Sequence, residues 1–562
     1  MGAKILSSFV FCFFMSVLTL LGQGLKLPQF QSQLDSPLKI PMSLSGSFGE
    51  MRANHYHTGW DLQTQEKEGI PVFAIADGYV SRVRISSKGY GYTIYLTHPS
   101  LGITSVHAHL SEFYSALKNW TVEQQYITQK NEVDWVLSPE QFPVIRGQQI
   151  ALSGNSGSSG GPHLHFEIRN TITEKTIDPA LLGYKIPDVT RPLVESISFI
   201  PKGDFTPSEV IPFRFNGESL GKDTLFEVPD TFGVAIQVYD WVLDADHACG
   251  VKQILTLWDG NIVSEWLADS LDFKEVKHVN AQCMMGVKER NPRTTYRTYK
   301  LPNSPGTGFL YIERDGLMII KDTMTHAVTI MVSDFSGNAT CVYAFVKGKK
   351  NVPRKHVNSE QMMFDWTTGG TIAHSEWCLR IPKDALYDAT PLTWTNFSNI
   401  LKSDSMQMKI AIEPKSVVFK NPLWFENNSF DWGLLSAEER KKWGWMEVRK
   451  SDEWFGWDEE KKAFAFSRTG NYRLVRDTAA PSVTNIGSFL SDGFLMVDEK
   501  ESGLKSYSAY LGKQWLLLYW DAKSNQLFLD SNWRSKWDGK SKLSLELIDK
   551  ADNMYHVELD LK

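Results

Sequence analysis

The sequence predicts a mainly β protein: an amino-terminal antiparallel sheet domain followed by β-sandwiches and other β-rich domains. Three observations carry this reading. Residues 40–185 are dense in glycine and in short β-branched runs bounded by turn residues. A β-type internal repeat spans much of the remaining chain. The middle region holds one clear helix signal, the capping box Ser436-x-x-Glu439 ahead of Arg440. At roughly 150 residues per domain, 562 residues correspond to about three or four domains.

Taken in order, residues 70–85 (IPVFAIADGYVSRVRI) read as two strands joined at the turn Asp77-Gly78. In the second of them Tyr79, Val83 and Ile85 fall on one face and Ser81 interrupts the apolar pattern. Gly91–His98 and Gly102–Leu110 make a hairpin-like pair around Pro99-Ser100-Leu101. Residues 112–143 break the strand pattern and predict a helical or irregular insertion.

The repeat is specific. Asp188-x3-Pro192-x-Val194-x2-Ile197 recurs as Asp477-x3-Pro481-x-Val483-x2-Ile486, and Cys249-Gly250-Val251-Lys252 is echoed by Ser502-Gly503-Leu504-Lys505. Each copy ends in an alternating strand and an Asp-x3-Asn turn, at Asp334–Asn338 and Asp549–Asn553. Asp and Asn bond the turn backbone and tolerate left-handed geometry, which suits sandwich corners. Two immunoglobulin-like sandwiches are therefore expected, at 188–350 and 477–562, with a β-rich domain of unassigned role at 351–476.

Residues 1–24 have the build of a secretory signal peptide: Lys4, then an apolar run from Phe9 to Leu21, then small residues. No other stretch is long and apolar enough to span a bilayer. The expected location is therefore secreted, in the periplasm or at the cell surface. The net charge of −6 gives no reason to expect nucleic-acid binding. Cys249, Cys283, Cys341 and Cys378 are compatible with disulfides or with free buried thiols, and none lies in a C-x-x-C pair.

Three histidine-bearing segments carry chemistry. They are His57-x3-Asp61, the pair His107-x-His109, and the pair His163-x-His165 at the end of the glycine-rich run 153–166 (SGNSGSSGGPHLHF). Residues i and i+2 of a strand share a face and can converge on one ion. Zinc takes imidazole and carboxylate ligands, and a catalytic site keeps three of them plus water. His57, Asp61 and one member of an H-x-H pair make such a set.

Residues 44–183 resemble the lysostaphin and LytM family of zinc metallopeptidases. The H-x3-D motif, the ADG strand pair (Val72–Val80), the AHLS motif and GNSGSSGGPHLHFE occur in that family's order. The resemblance covers about a quarter of the chain and implies a metallopeptidase domain within 25–187. It implies one zinc ion on His57, Asp61 and His165, with His109 and His163 as catalytic histidines. His107 stands where the family often has Tyr and is expected to be a strand residue. Glu167, on the same strand face as His163 and His165, is expected to be a supporting or structural carboxylate rather than a general base. The substrate class implied is the peptide of peptidoglycan, cut in its stem-peptide cross-links or in glycine bridges; the resemblance implies the class and not the bond.

Two other readings remain open at this point. The module is catalytically silent, and binds the wall or activates another wall hydrolase; or the tail binds on its own account. Trp424, Trp432, Trp443, Trp445, Trp454 and Trp457 would then stack on sugars instead of filling β-domain cores. The sandwiches are also candidates for contacting an envelope protein.

Overall fold

The computed structural model describes residues 33–561 apart from 205–208, 213–224, 243–247, 285–294, 350–360, 375, 397–407, 415–416, 428–430, 449–452, 485–493, 500 and 531. Residues 1–24, where a signal peptide is expected, and Ile486 of the repeat lie outside the described residues. The chain is mainly β, as expected, and no helix among the described residues is long and apolar enough to cross a membrane.

A sheet of 12 strands forms the amino-terminal domain, one of them, Ser270–Leu271, being contributed by the following region and paired with Thr176–Ile177. Its central order runs Leu44–Gly46, Trp60–Gln63, His163–Asn170, Ile103–Phe113, Tyr92–His98, Gly78–Ile85, all antiparallel. The expected hairpin is present, with His98 opposite Ile103. The two strands around Asp77-Gly78 differ from expectation, because they do not pair with each other. Pro71–Phe73 pairs with Gln149–Ser153, while Gly78–Ile85 pairs with Tyr92–His98. A bulge between Val80 and Arg82 also changes the buried face. Val80, Val83 and Ile85 are buried, and Tyr79 is only half-buried, because the extra residue at Ser81 flips the alternation.

The insertion is partly helical, with Ser115–Thr128 followed by the strand Val133–Val136. Beyond it, residues 193–348 build a five-stranded and a six-stranded sheet. Phe199, Phe232 and Ile236 of the first share one core with Ile254, Val328 and Ile330 of the second. That core is continuous with the amino-terminal one: Tyr56 lies 6.4 Å from Trp266, ring to ring.

Residues 362–476 form a sheet of 10 antiparallel strands around a separate aromatic core. Trp445 and Phe425 are fully buried and meet edge to face at 5.4 Å. Trp432 belongs to the same core, with Trp443 and Trp457 packed against it. Trp424 and Trp454 are half-buried, and none of the six tryptophans is exposed. The core-filling reading of the tryptophans thus accounts for them. The capping box is half made. Ser436 Oγ accepts the Glu439 amide at 3.1 Å, but the Glu439 carboxylate accepts from Arg476 Nε at 2.5 Å instead of turning back.

Residues 482–559 form two four-stranded sheets around a third core. The two Asp-x3-Asn turns are alike in detail. Asn338 Nδ2 donates to Asp188 O, and Asn553 Nδ2 to Asp477 O, so each repeat closes its last turn on its own first residue. Cys249, Cys283, Cys341 and Cys378 are not joined to one another by disulfides.

The carboxy-terminal sheets dock on the insertion. Asn131 donates to Tyr507 O and accepts from the Leu518 amide, both at 2.9 Å, and Tyr126 OH donates to Asp530 at 3.0 Å. Asn131→Ala leaves the Leu518 amide without its acceptor. An unpaired amide of this kind costs about 1–3 kcal/mol, so exchange at Leu518 should speed up by about tenfold or more, read by hydrogen exchange with mass spectrometry.

Candidate active site

The site lies where three central strands carry their polar residues to one end of the sheet. In the pairing of Trp60–Gln63 with His163–Asn170, Asp61 stands directly opposite His165. Directly opposed residues have Cβ atoms about 5 Å apart, so two side chains on one face meet. His57 comes from the short loop before Trp60. That loop lies against the His163–Asn170 strand at Gly59, where a Cβ would stand 2.5 Å from Phe166 O. Only glycine permits that approach.

Three atoms converge. His57 Nε2 lies 3.1 Å from Asp61 Oδ1 and 3.0 Å from His165 Nδ1, which is itself 2.9 Å from Asp61 Oδ1. All three residues are buried. The outer nitrogen of each imidazole is occupied: His57 Nδ1–H donates to Ser47 O at 2.7 Å, and His165 Nε2–H to Glu167 Oε1 at 3.0 Å. These acceptors assign the tautomers and leave lone pairs on both inner nitrogens. Three lone pairs that close are stable only around a cation. Tetrahedral zinc with bonds of about 2.0 Å has ligand edges of about 3.3 Å, so the donor set fits zinc in chemistry and in size.

The electrostatics mark the same point as one where positive charge, a metal ion or a proton in its stead, is held. Burial, with Arg52 adding to it, pushes His57 down to about 4. Burial also penalises charge on His165, but hydrogen bonds to Asp61 and Glu167 overcome that and push it up to about 9. Asp61 is held well below the usual carboxylate range: burial opposes its charge, but His57 and Arg52 outweigh burial, and Arg52 Nη2 donates to Oδ2 at 2.5 Å.

His163 and His109 flank this cluster. His163 Nδ1–H donates to Gly161 O at 2.8 Å, and its Nε2 makes no hydrogen bond, facing Asp61 Oδ1 at 3.4 Å. His109 Nδ1–H donates to Ser156 O at 2.8 Å, and its ring centre lies 4.8 Å from that of His163. Both therefore turn an Nε2 lone pair to the site. Burial, then His165 and His163, push His109 down to about 3.

His107 is not part of the site, as expected. Strand alternation alone would set it beside His109, but Ile103–Phe113 carries an extra residue against Tyr92–His98 between His107 and Leu110. His109 takes the left-handed φ of +58° at this bulge. The bulge re-aims His109 into the cluster and leaves His107 in the sheet interior, against the Phe166 ring and 3.2 Å from Ser105 Oγ.

Glu167 is a fully engaged carboxylate. Besides His165, Oε1 accepts from Thr58 Oγ1 at 2.6 Å and Tyr90 OH at 2.5 Å, and Oε2 accepts from Arg169 Nε at 2.7 Å. Burial opposes its charge, but Arg169 and His165 hold it well below the usual range. It is not available as a base. Sequence reading missed Ser47, Arg52, Thr58, Tyr90, Ser156 and Arg169. Of these only Arg169 left a signal, as the last residue of the same-face run H-x-H-x-E-x-R.

The fold and the site define a β-sheet domain that carries a buried His2Asp cluster, the donor set of a candidate metal site, with two further histidines beside it. No family model matches the chain. It is 30% identical over 135 residues to the DD-carboxypeptidase/endopeptidase Mpg of Neisseria meningitidis serogroup B, covering 24% of each protein. It is 34% identical over 112 residues to the peptidoglycan DD-endopeptidase ShyB of Vibrio cholerae, covering 20% of each. It is also 32% identical over 159 residues to an uncharacterized metalloprotease of Haemophilus influenzae, covering 28% of this chain and 26% of that one. The chain thus spans about a quarter of the length of the curated relatives it matches. Among solved structures, the catalytic domain of lysostaphin from Staphylococcus simulans aligns at 25% identity and a TM-score of 0.18, over 24% of this chain and 86% of that one.

Glu167→Gln keeps the shape of the side chain but weakens the acceptor for His165. Loss of such an outer partner typically costs about 10–100-fold in metal affinity. Zinc competition against a chromophoric chelator should show that loss, while His107→Phe should leave the affinity unchanged.

Proposed function

We propose that this protein is a zinc metalloendopeptidase that hydrolyses peptide bonds in the stem-peptide cross-links of peptidoglycan, exported by its amino-terminal segment to the periplasm or cell surface. One observation carries the reading: His57, Asp61 and His165 aim three lone pairs at one point, and two further imidazole nitrogens face the same place. His57, Asp61 and His165 would hold one zinc ion, and His109 and His163 would be the catalytic pair. Bound zinc would lower the pKa of its water to about 7 and polarise the scissile carbonyl.

The protein's own groups do the rest. Carbonyls Ser156 O and Gly161 O fix the rings of His109 and His163 with the Nε2 lone pair inward. From there an imidazole takes a proton from water, and, once protonated, donates to the developing oxyanion or to the leaving amine. Gly160 and Gly161 border His163 with nothing within 4 Å of a notional Cβ. That open edge leaves room for the peptide chain of the substrate beside His163.

Residues 188–350 and 477–562 are read as immunoglobulin-like sandwiches, and with the domain at 351–476 they offer surfaces for an envelope partner. The silent-module alternative is disfavoured, because no ligand position is vacated and both flanking histidines are in place.

His163→Ala should keep the zinc stoichiometry and lower the rate by about 10²–10⁴-fold, the usual worth of a general acid or base. His57→Ala should lose the metal as well. The deciding measurement is mass spectrometry of fragments that the mature protein releases from purified peptidoglycan. Chelator-sensitive release at one defined peptide bond is expected. Zinc-loaded protein that releases nothing from any wall type overturns the enzymatic reading in favour of the silent module.

A further inference from the structure

The first repeat brings together three carboxylates that the peptidase site does not use. Asp188 opens the repeat, Asp240 follows the strand Thr231–Tyr239, and Asp334 begins the closing turn. One oxygen from each lies within 4.8 Å of the others. We propose that Asp188, Asp240 and Asp334 form a calcium-binding site.

An acidic cluster alone would not carry this, but Asp240 adds an independent sign. It is 1% exposed, and its Oδ1 has no hydrogen-bond partner. A buried carboxylate oxygen with nothing to accept from is costly unless a cation or a proton meets it. The other two carboxylates supply neither. Asp188 Oδ1 accepts from the amide and hydroxyl of Thr190, at 2.9 and 2.7 Å. Asp334 Oδ1 accepts from the amides of Ser336 and Asn338, and Oδ2 from Asn338 Nδ2. Their charges add to the burial that pushes Asp240 up to about 8.

The second repeat serves as an internal comparison. It keeps the same first residue and the same turn, yet its carboxylates are saturated by the chain itself. Asp477 Oδ1 accepts from the Ala479 amide and Oδ2 from the Ser502 amide, at 3.1 and 2.9 Å. Asp549 accepts through both oxygens from Asn553, at 2.8 and 2.9 Å. The residue that ends the corresponding strand there, Asp498, is exposed. The first copy differs by holding a third carboxylate, buried and facing the other two.

The ligand chemistry selects the ion. An all-oxygen, all-carboxylate set suits a hard divalent cation and not zinc, which favours nitrogen and sulfur donors. Calcium takes 6–8 oxygens at about 2.3–2.6 Å, so its ligands lie up to about 5 Å apart, and it tolerates irregular geometry. Magnesium demands a near-ideal octahedron spanning about 4.2 Å. Two of these three carboxylates are pinned by turn amides and cannot rearrange to supply it. Water and backbone carbonyls complete the calcium shell.

The test is equilibrium dialysis of the full mature chain, its histidine site already loaded with zinc, against calcium up to several millimolar, which spans the affinities of extracellular calcium modules. One calcium per chain is expected, with a thermal midpoint raised by calcium chloride and not by sodium chloride of equal ionic strength. Asp240→Asn should weaken uptake by at least about tenfold, since affinity follows the number of ligand charges. Asp188→Asn, at a half-buried and more tolerant position, should do the same if the first variant does not fold. No uptake by the unmodified protein, or equal uptake by a folded variant, overturns the site and leaves Asp240 protonated.

Discussion

The register between Trp60–Gln63 and His163–Asn170 is the constraint on which the site depends. With Asp61 opposite His165, a carboxylate and an imidazole share one face of the sheet, and His57 needs only a short loop to reach them. A slip of one residue would send both to opposite faces and dissolve the cluster. The register is held from both sides, since His163–Asn170 also pairs residue by residue with Ile103–Phe113. The buried faces of Leu62, Leu164 and Phe166 resist any slip.

Burying these polar groups is tolerable because the carboxylates are paired with cations and the outer nitrogens of the imidazoles are bonded. Arg52 balances Asp61, and Arg169 balances Glu167. Ser47, Ser156 and Gly161 take the outer protons of three imidazoles through backbone carbonyls. Breaking one member of such a network leaves a buried charge unpaired, which is far costlier than the net worth of the pair. The network also reaches the neighbouring domain. Ser47 Oγ donates to Gly250 O, and the adjoining Cys249 is bridged to Asp240. Residues 193–348 are therefore joined to Ser47, the acceptor of His57, through one side-chain hydrogen bond and one backbone bridge.

The carboxy-terminal domain also contacts the amino-terminal one. It docks on the insertion after Phe113, and Lys523 Nζ donates to Asn155 O in the glycine-rich loop. That same loop holds Ser156, the partner of His109. At Gly157, with φ +71°, a Cβ would stand 2.4 Å from the Gly91 amide, so the loop closes on Gly91 only because both are glycines. The two repeats share a frame but differ in how they satisfy it: chain amides saturate the second, whereas the first keeps three carboxylates facing one another.

The choice of His165 among the histidines and the setting aside of His107 came from the resemblance to the LytM family; the sequence by itself determined the β class, the H-x3-D and H-x-H motifs and the shared strand face of Glu167 with His163 and His165. These are short-range properties: strand period, turn chemistry and motif spacing are written along the chain. It also carried the two Asp-x3-Asn turns, whose hydrogen bonds are local. Strand partners were not legible, because which runs pair depends on contacts distant in sequence. Pro71–Phe73 therefore joins Gln149–Ser153 and not its neighbour. The bulges at Ser81 and near His109 were equally hidden, since an extra residue shows only against a partner strand. Only the tertiary structure supplied Ser47, Arg52, Tyr90 and Ser156, and brought Asp240 to Asp188 and Asp334. Their roles rest on a backbone carbonyl or on one side chain arriving from a distant segment, and neither leaves a mark in the sequence.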